Sequence, residues 1–291
     1  MSRPTFLIIG AMKGGTTSLH GYLDAHPQVQ MSAVKETNFF SGPPDGKPYA
    51  KGTERISRLD DYERLFDPNV EVRGEASPSY TMYPRRKGVP ERIAEVVPDA
   101  KLIYLVRDPI ERLLSHYHHS LSVDGRRQPL REALGDYRDP EGPFTCPGFY
   151  AAQLDRYLDH FPQERILVID QADLSKRREA TLREVFGFLD VDESFVSPQF
   201  EQEMNAGRDL RTHSSAVVFL RQARTRVGPL WRRLPSGARR RVRASVHRIA
   251  GQPLAPPSMD EGLRAELREL YADDAARLRA LTGKPFAGWS V

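Results

Sequence analysis

Nine residues, Gly10-Ala11-Met12-Lys13-Gly14-Gly15-Thr16-Thr17-Ser18, carry the first recognisable chemistry in this chain. Glycines let a backbone turn tightly with its N–H groups facing inward, and where such a turn opens a helix, the helix terminus adds partial positive charge. Together they make a cradle for phosphate or sulfate oxygens, against the plain alternative of a tight turn with no ligand. A nucleoside-triphosphate loop of the form G-x-x-x-x-G-K-[ST] has the spacing of Gly10 and Gly15, but it needs Lys where Thr16 stands. The lysine comes earlier, at Lys13, and no apolar strand ends in a clear carboxylate pair for magnesium. A magnesium-dependent NTP hydrolase is therefore disfavoured.

A second constellation follows the apolar run Lys101 to Val106. Arg107 ends that run at what would be the carboxyl edge of a sheet, where doubly wound folds bind ligands, and a guanidinium fork suits a phosphate dianion. Asp108, Pro109 and Glu111 supply an N-cap, a first-turn proline and a capping-box acid, launching a helix to about Leu121 that carries Ser115. The competing readings are an ion pair between Arg107 and Asp108, and a Ser115 hydroxyl bonded to its own helix backbone. His116 and His119 lie one turn apart, yet spacing offers no third metal ligand, so they read as solvent-facing or pocket-lining. Ser18 lacks a G-x-S-x-G elbow, and no carboxylate pair for glycoside hydrolysis stands out.

The elements that must position these residues are legible as an alternation. Thr5 to Gly10, Val70 to Ala76, Lys101 to Val106 and Arg165 to Asp170 read as strands. Helical patterns follow at Leu19, Tyr22 and Leu23, at Pro90 to Val97, after Asp108, at Phe149 to Phe161, at Arg178 to Leu189 and at Glu261 to Leu281. That order predicts an α/β fold, a parallel sheet covered on both faces. Ser41 to Gly52 and Gly125 to Gly148 read as long loops, the kind that serve as lids or substrate loops.

Composition sets the outer bounds. At 291 residues and 33.0 kDa, the chain is expected to be one domain: an α/β core over 5–190, an Arg-rich helical insertion or lid over 205–259, and a C-terminal helix and tail over 260–291. Its single cysteine, Cys146, can form no intrachain disulfide and no Cys-based zinc or iron–sulfur site. With an apolar run at Phe6 to Met12 too short for a signal sequence, a cytoplasmic protein without a membrane span is expected. The net charge of +4 is segregated: Leu210 to Met259 holds eleven Arg and no acid, leaving 32 basic against 39 acidic residues, a net −7, elsewhere. Such a segment reads as a solvated helical face, or as a surface for an anionic or membrane-borne acceptor; nucleic acid is not expected.

Three motifs in order resemble a known family. The loop Lys13-Gly14-Gly15-Thr16-Thr17-Ser18, the run Lys35-Glu36-Thr37-Asn38-Phe39-Phe40, and Val106-Arg107-Asp108-Pro109-Ile110-Glu111-Arg112-Leu113-Leu114-Ser115-His116-Tyr117 resemble the sulfotransferases that use 3′-phosphoadenosine 5′-phosphosulfate. The resemblance is greatest to the heparan-sulfate-type branch and its bacterial relatives, and covers roughly residues 5 to 190. It implies a P-loop-like three-layer fold with a central parallel sheet and a mainly helical C-terminal part. It further implies that Lys13 to Ser18 hold the 5′-phosphosulfate, that Arg107 and Ser115 hold the 3′-phosphate, and that Glu36 is the general base. Lys13 would then meet charge on the leaving phosphate oxygen, with no metal required.

Lys35 is a candidate additional cation, and Lys35, Phe40, His116 and His119 are weaker candidate acceptor contacts, although Phe39 and Phe40 read more readily as core anchors than as substrate platforms. Arg208 and Arg211 are weak counterparts of a later phosphate-binding loop. Ala76 stands where the animal glycan-modifying enzymes tend to have Lys, and Asn38 where they have His, which points away from a polysaccharide acceptor. The acceptor is expected to be a hydroxyl or amine on a small molecule, lipid or glycan. The rival readings are a P-loop-type small-molecule kinase and a non-catalytic basic module that binds membrane or nucleic acid.

Overall fold

This computed structural model describes residues 2–42, 56–124, 128–201, 255 and 257–291. Strands β1 (Phe6–Gly10), β2 (Val29–Met31), β3 (Val72–Ala76), β4 (Lys101–Val106) and β5 (Ile166–Asp170) form a five-stranded sheet in the order β2-β3-β1-β4-β5. Every pairing is parallel. The four strands expected from sequence are all present, with ends shifted by at most two residues. β2 was not anticipated, because three residues are too few to show a periodicity.

The helices are α1 (Thr16–Asp24), α2 (Leu59–Glu63), α3 (Val89–Val96), α4 (Pro109–Asp124), α5 (Leu130–Leu134), α6 (Tyr150–Leu158), α7 (Gln171–Lys176), α8 (Arg178–Phe188) and α9 (Glu261–Thr282). α5 falls inside the stretch expected to be a continuous loop, so that loop is shorter than the sequence suggested. α7 starts directly after β5 because the Asp170 carboxylate accepts the Ala172 N–H and caps it.

Side chains on a strand alternate between faces, and here both faces are dry. Leu7 and Ile9 on β1, with Leu102, Tyr104 and Val106 on β4, pack against α3, α6, the end of α9 and Phe286. Phe6, Ile8, Ile103 and Leu105 pack on the other side against α1, α7 and α8. The result is the three-layer α/β arrangement. Gly74 faces Phe6 in register, where an added Cβ would fall 2.1 Å from the ring, so only glycine fits.

The chain divides into two compact units. One comprises Met1–Leu113, Leu134–Asn205 and Asp260–Val291, and the other Leu114–Ala133 and Ala206–Met259. The sheet, both apolar layers and α9 belong to the first. Of the Arg-rich stretch 205–259 only 255 and 257–259 are described, so Arg208 and Arg211 lie outside the described residues. No helix among the described residues is long and apolar enough to cross a membrane.

Candidate functional site

The loop between β1 and α1 is shaped by backbone rather than by side chains. Gly15 is left-handed at φ 98°, and so is Lys13 at φ 69°, a conformation a non-glycine residue adopts at a cost. Ala11 N–H donates to the Leu105 carbonyl at 2.6 Å and Gly14 N–H to the Ala11 carbonyl at 2.9 Å, pinning the loop to β4. A Cβ at Gly14 would stand 2.8 Å from the Leu105 carbonyl oxygen, which closes that position to any side chain. α1 begins without a side-chain cap and with no acid in its first turn, leaving its positive end for an anion. Burial holds the Lys13 ammonium below the ordinary lysine range. Arg107 pushes the same way, Glu36 opposes, and Lys35 adds a further downward push. Four charged groups from three separate motifs therefore converge.

Glu36 lies just beyond β2 and is also left-handed, at φ 60°; Asn38 two residues on is left-handed at φ 52°. The turn they form is fastened to the end of β3. Glu36 N–H donates to the Ala76 carbonyl at 3.1 Å, and Asn38 N–H to Ser77 Oγ at 3.1 Å. The Glu36 carboxylate is 47% exposed, in reach of a substrate, and pairs at 3.0 Å with Lys35 Nζ. That ammonium also donates to Thr17 Oγ1 at 2.8 Å, on the first turn of α1. This ion pair carries the Glu36 carboxylate toward the anion loop.

Behind the turn, Glu75 on β3 is fully buried. Its Oε1 accepts from Tyr80 Oη at 2.6 Å and Tyr62 Oη at 2.9 Å; its Oε2 accepts from Thr37 Oγ1 at 2.6 Å and Ser77 Oγ at 2.8 Å. Burial pushes the Glu75 carboxyl up, and the four hydroxyl donors pull it back. Burial, followed by the charge of Glu75, pushes both Tyr62 and Tyr80 well above the usual phenol range, so both stay protonated donors.

Arg107 follows β4 directly. Its guanidinium, about a third exposed, faces Glu111 at 3.8 Å, too long for a tight pair, and Glu111 is shared with Arg264 at 3.8 Å. Asp108 does not compete for it. One Asp108 oxygen caps α4 by accepting from Ile110 N–H at 3.0 Å and Glu111 N–H at 2.9 Å, while the other accepts from Ser290 N–H. Tyr150 Oη fixes the Arg107 backbone by donating to its carbonyl at 2.7 Å. Trp289, which packs on Tyr150, donates to Asp170 at 3.1 Å, so the last residues lie across the ends of β4 and β5.

The site thus combines a glycine loop opening an uncapped helix, an adjacent half-buried Lys, an Arg at the next strand end and a carboxylate on a strained turn, groups suited to an anionic ligand and a proton-bearing one. The sulfotransferase domain family matches residues 3–215. The chain belongs to that family. Over 291 residues the domain is 28% identical to heparan sulfate glucosamine 3-O-sulfotransferase 6 of Homo sapiens, covering 98% of this chain and 73% of that protein. It is 40% identical over 119 residues to membrane-associated sulfotransferase kil1 of Dictyostelium discoideum, covering 40% of this chain and 23% of that protein. Against bifunctional heparan sulfate N-deacetylase/N-sulfotransferase 4 of Mus musculus it is 27% identical over 98% of this chain and 31% of that protein. The chain thus spans under a third of the length of these last two relatives. A sulfotransferase crystal structure from Alicyclobacillus acidocaldarius superposes with a TM-score of 0.72 at 27% identity, covering 100% of both chains.

Within this sulfotransferase domain, Lys13, Gly14, Gly15, Thr16, Thr17, Lys35, Glu36 and Arg107 stand together at the carboxyl ends of β1, β2 and β4, and Ser18 sits in the first turn of α1. Ser115, His116 and His119 lie on the part of α4 that belongs to the second unit. Phe40 is a correction: at 1% exposure, packed edge-on to Tyr62 and Tyr80, it is a core residue and offers no surface to an acceptor. Among the described residues no group of three or more His, Cys, Asp or Glu side chains is placed to hold a metal ion. Sequence reasoning passed over Glu75 altogether, although it stands in the expected strand Val70 to Ala76. A carboxyl near the end of a strand, followed at once by Ser77, Ser79 and Tyr80, was the available signal.

Proposed function

We propose that this domain catalyses transfer of a sulfuryl group to a hydroxyl or amine, with Glu36 as general base and Lys13 as the cation at the leaving group. The donor, 3′-phosphoadenosine 5′-phosphosulfate, supplies the sulfuryl group when bound. The uncapped N-terminus of α1, Gly14, Gly15 and the hydroxyls of Thr16, Thr17 and Ser18 suit its 5′-phosphosulfate, and Arg107 suits its 3′-phosphate. Glu36 accepts the acceptor's proton as the bond from its oxygen or nitrogen to sulfur forms. Lys13 meets the charge left on the phosphate oxygen as the sulfur–oxygen bond to the donor breaks. Lys35, bridging Thr17 and Glu36, keeps base and leaving-group loop side by side.

One observation carries this reading: the Glu36 carboxylate is bonded through a single ammonium to the first turn of the anion-binding helix. The relatives' names, heparan sulfate enzymes and a membrane-associated enzyme among them, support sulfuryl acceptors that bear hydroxyl or amine groups, and the acceptor of this chain is proposed only at that level. The test uses donor labelled in its sulfur and a panel of 4-nitrophenol, a long-chain alcohol, a sterol, glucosamine and N-desulfated heparan oligosaccharide, in EDTA. Labelled product is expected with at least one acceptor. Glu36→Gln should bind adenosine 3′,5′-bisphosphate normally yet lose transfer by roughly two to four orders of magnitude. Binding of ATP with magnesium in preference to the bisphosphate would establish the kinase reading instead.

A further inference from the structure

Glu75 takes no part in those steps, yet the chain maintains it at a cost. A buried carboxylate is expensive unless compensated, and among the described residues no Lys, Arg or His donates to it. Compensation comes only from hydroxyls, and those hydroxyls lead to the Glu36 turn. Thr37, which donates to Glu75 at 2.6 Å, is the residue between left-handed Glu36 and left-handed Asn38. Ser77, which donates to Glu75 at 2.8 Å, accepts the Asn38 N–H at 3.1 Å. Because a carboxylate only accepts, all four hydroxyl protons must point at it, which leaves the Thr37 oxygen free to receive Phe39 N–H at 3.3 Å.

We infer that Glu75 is a positioning residue for Glu36: it fixes the hydroxyl directions that hold the strained turn, and so the place of the proposed base. Strained backbone persists where its surroundings over-determine it, and the carboxylate and its hydroxyls supply that constraint here. Glu75 itself touches neither acceptor nor donor. A glutamine would keep the shape but place two N–H donors where two hydroxyls now donate, so one hydroxyl pair must turn round. This inference rests on the reading of Glu36 as the base.

The experiment compares Glu36→Gln, Glu75→Gln, Thr37→Val and Thr37→Ser, singly and with Glu75→Gln placed on Glu36→Gln. Transfer is read with labelled donor and the fastest acceptor of the panel above, and adenosine 3′,5′-bisphosphate affinity by calorimetry. Glu75→Gln and Thr37→Val should lower kcat by about 10- to 100-fold, the scale of a small misplacement of a reacting group, with bisphosphate affinity within about threefold. Thr37→Ser should restore the rate, and Glu75→Gln should cost nothing further once Glu36 is Gln. If Glu75→Gln does not fold, the Thr37→Val and Thr37→Ser pair decides alone. Full activity of Glu75→Gln and Thr37→Val beside an inactive Glu36→Gln overturns the positioning role only. Parallel loss of bisphosphate binding, or an added loss on the Glu36→Gln background, also overturns it. An active Glu36→Gln overturns the base reading and this inference with it.

Discussion

Lys35 Nζ joins Thr17 and Glu36: it donates to Thr17 Oγ1 at 2.8 Å and to the Glu36 carboxylate at 3.0 Å. Thr17 opens the helix that follows β1, and Glu36 follows β2, so the bridge crosses two segments that share no strand pairing. The pair is partly exposed, which limits its worth to stability, but its geometry ties the Glu36 carboxylate to the first turn of α1.

Lys35→Met should therefore separate stability from catalysis. A partly exposed pair contributes about 0 to 1 kcal/mol, so thermal unfolding should move by only a few degrees. Transfer should fall about tenfold, and adding Thr17→Val should cost less than the product of the two single losses, because both substitutions cut one chain of contacts. Unchanged turnover in Lys35→Met would reduce the bridge to an ordinary surface ion pair.

Lys13 sets an alkaline limit. Its folded-state pKa lies below the ordinary lysine value because burial, with Arg107, disfavours the charged form. A bound phosphate favours that form, so between the free and bound pKa values binding takes up a proton, and affinity falls as pH rises through that window. Calorimetric titration of adenosine 3′,5′-bisphosphate in two buffers of different ionisation enthalpy should show the proton uptake, and Lys13→Ala should remove it. The unliganded protein should respond in the opposite sense, since in the same window the unfolded chain binds more protons and this group's contribution to stability rises with pH.

Glu75 predicts a stability effect of the reverse kind. Burial raises its folded-state pKa, so the folded protein binds a proton more readily than the unfolded chain does. Its contribution is most favourable in acid, below the unfolded carboxyl pKa, and is lost as pH rises through the raised folded value. Thermal midpoints of Glu75→Gln and the native chain, compared across pH, should shift in favour of glutamine as pH rises. A difference independent of pH would mean that the carboxyl titrates alike in both states.

Much of the scaffold was legible because its signals are local. Lys101 to Val106 is an unbroken apolar run, and Asp108 caps α4 as its spacing to Glu111 implies. The glycine loop and Arg107 could be placed at strand ends from the same alternation. What the residues conceal depends on contacts far apart in sequence. Glu75 is a buried acceptor only because Thr37 and Tyr62 arrive from separate segments to join Ser77 and Tyr80, two and five residues on. The left-handed backbone at Lys13 and Glu36 has no local signature either, since glycine is the residue that would have announced it. β2 is held by pairing with β3 rather than by its own propensity.

The strand order arranges these groups from one side of the sheet to the other. Glu36 stands on the β2–β3 side, Lys13 above β1 at the centre, and Arg107 on the β4 side. On the proposed reading, the base and the 3′-phosphate contact thus occupy opposite flanks of Lys13. Because Asn38 also fastens the Glu36 turn, substitutions there would move the proposed base, whereas changes after β4 would alter nucleotide grip without touching that turn.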